Sequence, residues 1–185
     1  MKINSNITVR EVKNDDELKE FVMFPHKLYK DSMYWVAPII NEELEVLNKK
    51  TNPVFKNADA HYFLAFTNGE IVGRIAALIN WVEVNDLKKK KVRFGWFDFI
   101  DNKEVSKSLL NEVVKIGNDN NLEFIEGPVG FSNMDKAGML IKGFEKKNTM
   151  ITLYNHSYYQ EHMIAHGYKK LAEWVEYELK IANYE

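Results

Sequence analysis

The sequence contains no cysteine, which excludes disulfides, thiolate zinc sites and cysteine nucleophiles. Arginine is scarce: the basic residues are nearly all lysine, and the arginines are Arg10, Arg74 and Arg93. Because arginine is the usual bidentate partner of phosphate and carboxylate, an anion site would have to rely on few arginines, on lysines or on backbone amides. No apolar run has the length of a membrane span, and the first residues lack the apolar core of a signal peptide. We therefore expect a cytoplasmic protein.

The 185 residues are 45% hydrophobic and 28% charged, with a formal net charge of -2. This length and composition predict one folded domain over residues 1–185. The near-neutral charge gives no general attraction to polyanions. We therefore expect neither a nucleic-acid partner nor a membrane partner.

The clearest local pattern is a hairpin, because strand-like runs at 61–67 and 71–81 flank the dipeptide Asn68-Gly69, which favours a type I′ turn. Aromatic and β-branched residues at 92–100 predict a long buried strand, followed by a helix and a strand at 123–129. Alternation also suggests strands at 149–155 and 168–181, whereas 134–141 is ambiguous. The predicted fold class is α/β (α+β mixed sheet), with six or seven strands and helices on both faces. The strands at 92–100 and 123–129 are expected to be adjacent and parallel.

The C-terminal half resembles the GNAT (acyl-CoA N-acyltransferase) superfamily. The likeness is carried by FGWFDFI, KEVSKSLLNEVVKIGNDNN, EFIEGPV and NHSYYQEHMIAHGYKKLAEWVEYELK. In that family a strand, a helix and a second strand form the acyl-CoA cleft, and a later helix ends in a Gly-aromatic pair, here Gly167-Tyr168. The resemblance thus implies a GNAT-like twisted central sheet and acetyl-CoA or another acyl-CoA as co-substrate.

The chain looks still more like an uncharacterised GNAT-like subgroup. This likeness is carried by FPHKLYKDSMYWVAPI, NPVFKNADAHYFLAF, VGRIAALIN and EGPVGFSN. In that subgroup such a block is often the first half of a longer chain. The resemblance therefore implies a homodimer or a tandem arrangement with a second GNAT-like half.

Two departures from the family pattern concern the cofactor site and the acid. A Gly-rich turn usually binds the CoA pyrophosphate at the helix N-terminus, but Glu104 and Ser106 stand at the two glycine positions. The tyrosine that acts as general acid in many members is replaced by Met163. An alternative register based on Asn133 and Gly143-Phe144 places Met139 there instead. Acyl-CoA binding is accordingly expected to be weak.

Charged and polar residues at the ends of predicted strands are the candidates for the site. Strict alternation would put Asp98 on one face with Val92, Phe94 and Trp96, and a buried carboxylate of this kind is either ion-paired or able to take a proton from an amine. The same alternatives apply to Glu126, and Arg74 would orient a substrate carboxylate. The candidate catalytic residues are Glu126, Tyr159 and Asp98; the candidate acyl-CoA-binding residues are Trp96, Phe97, Asp98, Ser106 and Lys107; the candidate substrate-binding residues are Arg74, Ser132, Asn133, Tyr154, Asn155 and Tyr158.

Other patterns favour plainer interpretations. His162 and His166 lie four apart on a predicted helix, but EHMIAH is not the H-E-x-x-H zinc pattern, so no metal is predicted. The lysine run 88–91 is typical of a solvated loop. No Ser-His-Asp arrangement is evident.

Two functions remain open at this point. The first is an N-acyltransferase that moves an acyl group from acyl-CoA to a small amine. The second is a catalytically degenerate GNAT-like module that binds or supports a partner. The polar clusters at the expected cleft favour the first, and the missing motifs favour the second.

Overall fold

The computed structural model describes residues 6–132, 134–149, 152–177 and 179. The strands are β1 (Thr8–Glu11), β2 (Ala58–Thr67), β3 (Glu70–Asn80), β4 (Lys91–Phe99) and β5 (Phe124–Glu126). The helices are α1 (Asp15–Leu28), α2 (Ile40–Leu47), α3 (Trp81–Asn85), α4 (Lys103–Asp119) and α5 (Tyr158–Ala165), with a 3₁₀ turn at Pro53–Lys56. No helix among the described residues is both long enough and apolar enough to cross a membrane.

The five strands form one sheet in sequence order. β1 to β4 are antiparallel neighbours, and β5 runs parallel to β4. The mixed sheet and the parallel adjacency of β4 and β5 confirm the prediction. The hairpin is also confirmed, since Asn68 and Gly69 both have positive φ (50° and 83°) between β2 and β3, as a type I′ turn requires.

Two apolar cores lie on opposite faces of the sheet. One contains Val105, Leu109 and Val113 of α4 with the side chains of β3 and β4 that face α4. The other contains Phe21 and Val22 of α1 with side chains of β2 and β3. This two-sided packing explains why the central strands are apolar along nearly their whole length.

The helix ends follow their capping residues. Asn14 accepts a hydrogen bond from the Glu17 amide (2.9 Å), and Glu17 accepts one from the Lys13 amide (2.6 Å), so α1 begins with a capping box. Pro25 does not end α1, which continues to Leu28.

Several predicted elements are absent from the described residues. The chain at 134–141 is not helical, and neither 152–155 nor 168–177 forms a strand. Residues 150–151, 178 and 180–181 of the two predicted strands lie outside the described residues, which contain five strands in place of the six or seven expected. Alternation reports local propensity, whereas a strand also needs a neighbour to pair with. Helix α3 was missed as well, although Asn80, which caps the amides of Val82 and Glu83, is a start signal for it.

Candidate functional site

The site lies where β4 and β5 separate. The two strands pair only at Lys91↔Phe124, Val92↔Ile125 and Arg93↔Glu126. The chain then crosses close to β4, because a Cβ added at Gly95 would lie 2.6 Å from the Val129 carbonyl oxygen. Beyond this point no strand of the described residues borders the end of β4 on that side. Polar backbone groups at the end of β4 therefore need other partners.

A β-bulge at Trp96 reverses, at the same place, the sheet face to which alternate side chains of β4 point. Trp96 has φ of 45°, and Trp96 and Phe97 together stand opposite the single residue Ile75. Before the bulge Phe94 faces α4, and after it Phe97 and Phe99 do. Asp98 consequently faces α1, so the expectation that it shares a face with Val92 and Phe94 was wrong. An extra residue in a strand inverts the alternation that the prediction assumed.

Asp98 is the centre of a buried hydrogen-bond network. Its Oδ2 atom accepts from Arg74 Nε and Nη2, each at 2.8 Å, and its Oδ1 atom accepts from Tyr29 Oη at 2.7 Å. Arg74 also donates to the Phe21 carbonyl oxygen at 2.8 Å. The carboxylate is therefore paired and hydrogen-bonded on both oxygens, as a buried charge requires.

Two tyrosines of α5 complete the network by capping the end of β4. The Phe99 amide donates to Tyr159 Oη (3.1 Å), and Tyr158 Oη donates to the Phe99 carbonyl oxygen (2.5 Å). Tyr159 Oη also lies 2.8 Å from Tyr29 Oη and 3.4 Å from Asp98 Oδ1. Side-chain hydroxyls thus take the place that a neighbouring strand would occupy.

Burial keeps these hydroxyls protonated. It raises the pKa of Tyr159 and of Tyr29 well above the ordinary value, and the nearby Asp98 carboxylate raises both pKa values further. Burial likewise raises the pKa of Tyr158. All three tyrosines therefore keep their protons at neutral pH.

An aromatic cluster surrounds Tyr29. The Tyr29 ring centroid lies 5.4 Å from that of Trp35, 5.7 Å from that of Tyr154 and 4.9 Å from that of His156. These neighbours are only half-buried, whereas Tyr29 is buried. The cluster therefore connects the Asp98 network to the surface through aromatic faces, which attract cations and apolar groups alike.

A second polar cluster anchors α5 to the start of α4. Ser106 Oγ lies 2.9 Å from His162 Nδ1 and 2.8 Å from His166 Nε2, and His162 Nε2 lies 3.0 Å from Asp101 Oδ1. The structure thus contains a Ser-His-Asp arrangement that the sequence pattern did not reveal, because His162 on α5 is distant in the sequence from Asp101 and Ser106. Ser106 is completely buried, so its hydroxyl holds α5 in place and has no surface open to a substrate.

The N-terminus of α4 is capped by side chains of the chain itself. Asn102 Oδ1 accepts from the Glu104 amide at 2.9 Å, and the exposed Glu104 carboxylate lies in the first turn. A carboxylate there interacts favourably with the helix dipole and repels an incoming phosphate. Lys107, one turn later, is exposed.

The predicted site residues divide into groups. The structure brings Asp98, Arg74, Tyr158, Tyr159 and Tyr154 to the open end of β4, while Ser106 lies beneath α5 at the start of α4. Trp96 packs on the other core and donates to Glu43 Oε2 at 2.7 Å, and Phe97 is core on the α4 face. Three predicted residues, Glu126, Ser132 and Asn155, do not join this group, because each bonds elsewhere. Glu126 accepts from Lys91 (2.7 Å), the Ser132 amide donates to Asp135 Oδ2 (2.7 Å), and Asn155 caps the Leu140 amide (2.6 Å). Asn133 is outside the described residues.

Tyr29, Trp35 and His156 were missed as site residues. The signal was present in part, since Tyr29 and Trp35 fall within the FPHKLYKDSMYWVAPI segment that carries the subgroup likeness. Their proximity to Asp98 depends on contacts between distant parts of the chain, which no local pattern reports.

Several solved structures share this architecture. The aminoglycoside N-acetyltransferase AAC(6')-Iy, in complex with a CoA-based bisubstrate analogue, superposes with a TM-score of 0.57 at 14% identity, covering 96% of this chain and 100% of its own. A predicted acetyltransferase with acetyl-CoA from Clostridium acetobutylicum gives 0.57 at 13% identity over 94% and 96%. The chain has the GNAT acetyltransferase fold. An aminoglycoside acetyltransferase from an uncultured soil metagenomic sample, solved with sisomicin, shares the GNAT fold at a TM-score of 0.51 and 11% identity over 95% of both chains.

Two curated proteins are similar in sequence over nearly the whole chain. Protein YghO of Escherichia coli is 30% identical over 172 residues, which are 91% of this chain and 44% of that protein. A bacterial ceramide synthase of Caulobacter vibrioides is 27% identical over 175 residues, which are 94% and 46%. The chain thus spans less than half the length of either relative. No protein-family model matches it.

Proposed function

We propose that this chain is an acyl-CoA-dependent N-acyltransferase unit, which transfers an acyl group from the CoA thioester to an amine. The observation that carries the proposal is the separation of β4 from β5 after three paired positions, beside the buried Asp98 network. In the fold shared with acyl-CoA enzymes, such a gap is where backbone groups of the longer strand are available to a pantetheine arm. Here those groups are the amide and carbonyl of Phe99.

The proposed reaction is direct attack. The amine nitrogen forms a bond to the thioester carbonyl carbon, the carbon–sulfur bond breaks, and CoA leaves as a thiolate. We assign Tyr159 as the proton donor to that thiolate, since its hydroxyl is hydrogen-bonded to Tyr29 and lies 3.4 Å from Asp98 Oδ1. Asp98 accepts the proton that the amine loses and passes it to Tyr159, where it replaces the proton given to sulfur, so the step balances. Asp98, held by Arg74, orients Tyr29 and Tyr159 through its hydrogen bonds to them.

For the acceptor, we propose a long-chain amino alcohol of the sphingoid type. The support is the bacterial ceramide synthase, which is 27% identical over 94% of this chain. A half-exposed aromatic cluster around Tyr29 suits an amine that carries an apolar chain, because ring faces accept both an ammonium group and hydrocarbon.

Helix α5 limits access to the proposed cleft. Tyr158 and Tyr159 occupy the outward carbonyl and amide of Phe99, so pantetheine can bond to those groups only after the two hydroxyls release them. Glu104 adds repulsion at the end of α4 where the pyrophosphate would lie. Acyl-CoA binding to this unit alone is therefore proposed to be weak.

The same two features favour a second candidate function, a GNAT-like unit that supports a partner without turnover. A cleft closed by its own helix and a carboxylate at the phosphate position are expected in such a module. In either case we propose that the unit works with a second unit of similar size, because the chain spans less than half of the two curated relatives.

The test is an acylation assay with acyl-CoAs of several chain lengths and a sphingoid base, following thiol release and the amide product by mass spectrometry. We expect an amide with wild-type protein and a loss of at least tenfold in rate for Tyr159→Phe. Tyr177→Phe, at an exposed position outside the proposed site, is the matched control and should keep the wild-type rate. Absence of product with every acyl-CoA and amine would favour the supporting module.

A further inference from the structure

His156 lies in the aromatic cluster around Tyr29 with both of its imidazole nitrogens unpaired. Neither nitrogen has a hydrogen-bond partner among the described residues, and neither belongs to the buried side-chain atoms that lack one. The half-buried ring is therefore open to solvent at its nitrogens. A histidine in this situation can take up and release a proton without breaking a contact of the fold.

The other four histidines of the sequence are held differently. His61 is paired with a glutamate of β1, and His162 and His166 both bond to the buried serine of α4. His26 has its Nε2 atom buried without a partner, so that nitrogen is closed to an incoming molecule. His156 is thus the one histidine with both ring nitrogens open.

Aromatic rings hold the imidazole of His156 beside the Asp98 network. Its ring centroid lies 5.3 Å from that of Tyr158, with an angle of 24° between the planes, and 4.9 Å from that of Tyr29. Tyr29 Oη in turn donates to Asp98 Oδ1 (2.7 Å) and lies 2.8 Å from Tyr159 Oη. His156 therefore stands on the surface side of the groups assigned to acyl transfer, separated from them by one ring.

The proposed reaction needs one more proton transfer than the Asp98 network performs. An aliphatic amine is an ammonium ion at neutral pH, as the lysine side chain is, and an ammonium nitrogen has no lone pair with which to attack the thioester. One proton must leave before the attack, and a second leaves once the carbon–nitrogen bond forms. Asp98 accepts the second proton, so the first needs another acceptor.

We propose, resting on the acyl transfer proposed above, that His156 is the base that removes the first proton. A nitrogen–hydrogen bond of the ammonium group breaks, the proton passes to an imidazole nitrogen, and the electron pair stays on the amine as its nucleophilic lone pair. The imidazolium then releases the proton to solvent. The rings of Tyr29 and Tyr158 lie close enough to favour the positive charge while it is present.

The experiment compares two acceptors that differ in the protonation of their nitrogen. A sphingoid base is an ammonium ion at neutral pH, whereas a long-chain alkoxyamine is already neutral there, because the adjacent oxygen makes its nitrogen weakly basic. His156→Gln should lower kcat/KM for acylation of the sphingoid base at least tenfold and should leave that of the alkoxyamine within about twofold of the wild type. Tyr159→Phe should slow both acceptors, since its hydroxyl acts on the CoA sulfur.

Two further measurements separate a proton acceptor from a structural residue. His156→Ala should regain part of its rate with the sphingoid base when imidazole is added to the buffer, which a packing role would not allow. His61→Gln, which changes a histidine of β2 paired with Glu11, is the matched control and should equal the wild type with both acceptors.

The outcomes distinguish this inference from the proposed function. Equal losses with both acceptors for His156→Gln, or no loss with either, would overturn the role of His156 and leave acyl transfer intact. Absence of product from both acceptors with the wild type would instead overturn the proposed reaction, and this step with it.

Discussion

The two ends of β4 hold buried charges in different ways. At the paired end, Arg93 donates to both Glu83 oxygens (2.9 and 2.7 Å), and Lys91 lies 3.3 Å from Glu83 and 2.7 Å from Glu126. At the open end, Asp98 has Arg74 and two tyrosines, one of which comes from α5. Both ends satisfy their charges, but the paired end uses α3, which follows β3 directly, whereas the open end depends on α5, which is distant in the sequence.

The comparison separates a structural network from a candidate site. The paired end is fixed by neighbouring strands and by α3, so its charged side chains are held in their ion pairs. At the open end, the backbone groups of Phe99 are satisfied by the hydroxyls of Tyr158 and Tyr159, which come from a separate helix. Groups that are capped by movable side chains are accessible to a ligand at modest cost, whereas groups in a ladder are not.

The largest expected effect concerns the paired end. Arg93→Met should lower the free energy of unfolding by about 3–5 kcal/mol, because it leaves the Glu83 carboxylate buried beside Lys91 as its remaining close cation. Urea denaturation measures this. Arg10→Met, at an exposed position on β1, is the control and should cost less than about 1 kcal/mol. Equal losses for the two variants would show that the Arg93 network contributes little.

A smaller effect is expected at the open end. Tyr159→Phe removes the acceptor of the buried Phe99 amide and should cost about 1–3 kcal/mol. Tyr158→Phe should cost less, since Tyr158 is half-buried and water can replace its hydroxyl at the Phe99 carbonyl. Denaturation curves of the two variants compare them directly. The reverse order would mean that Tyr158 is the main contact between α5 and the sheet.

The smallest effect is a pH dependence of the contact between α5 and α4. Burial, and then the neighbouring His162, lower the pKa of His166 below its usual 6.5. The folded protein therefore binds this proton less readily than the unfolded chain. The resulting stabilisation is complete above about pH 6.5 and is lost as the pH falls through the folded pKa.

His166→Gln should consequently reduce the fall in melting temperature between neutral and mildly acidic pH. The difference should be under about 1 kcal/mol, because the imidazole is partly exposed and solvent screens it. His61→Gln, in an exposed pair with Glu11, serves as the comparison. Parallel pH profiles for wild type and His166→Gln would contradict the assignment.

The sequence was sufficient for the β2–β3 hairpin and for the parallel neighbours β4 and β5, because hairpin chemistry and apolar runs are local signals. It failed where geometry depends on distant contacts. The bulge at Trp96 inverted the facing of Asp98, and nothing in the alternation of β4 marks an extra residue. The strand expected at 168–181 is not formed over 168–177, and residues 178, 180 and 181 of that prediction lie outside the described residues.

The candidate site was predictable in composition but not in arrangement. Asp98, Arg74 and Tyr159 stand out as polar residues in apolar surroundings, and the structure joins them. Glu126 and Asn155 have the same appearance in the sequence yet bond elsewhere, to Lys91 and to the Leu140 backbone. A buried polar residue indicates a partner without saying which one.

The most direct test of the central claim is a calorimetric titration of acyl-CoA into the wild type and into Tyr158→Phe. If the end of β4 is an acyl-CoA site closed by α5, the wild type should bind weakly, with a dissociation constant above about 100 µM. Loss of the Tyr158 contact should tighten binding about tenfold, because α5 then moves more easily. Glu104→Gln should tighten it less, with Glu112→Gln on the same helix as its control. Low-micromolar binding by the wild type, or identical affinities for wild type and Tyr158→Phe, would contradict the account.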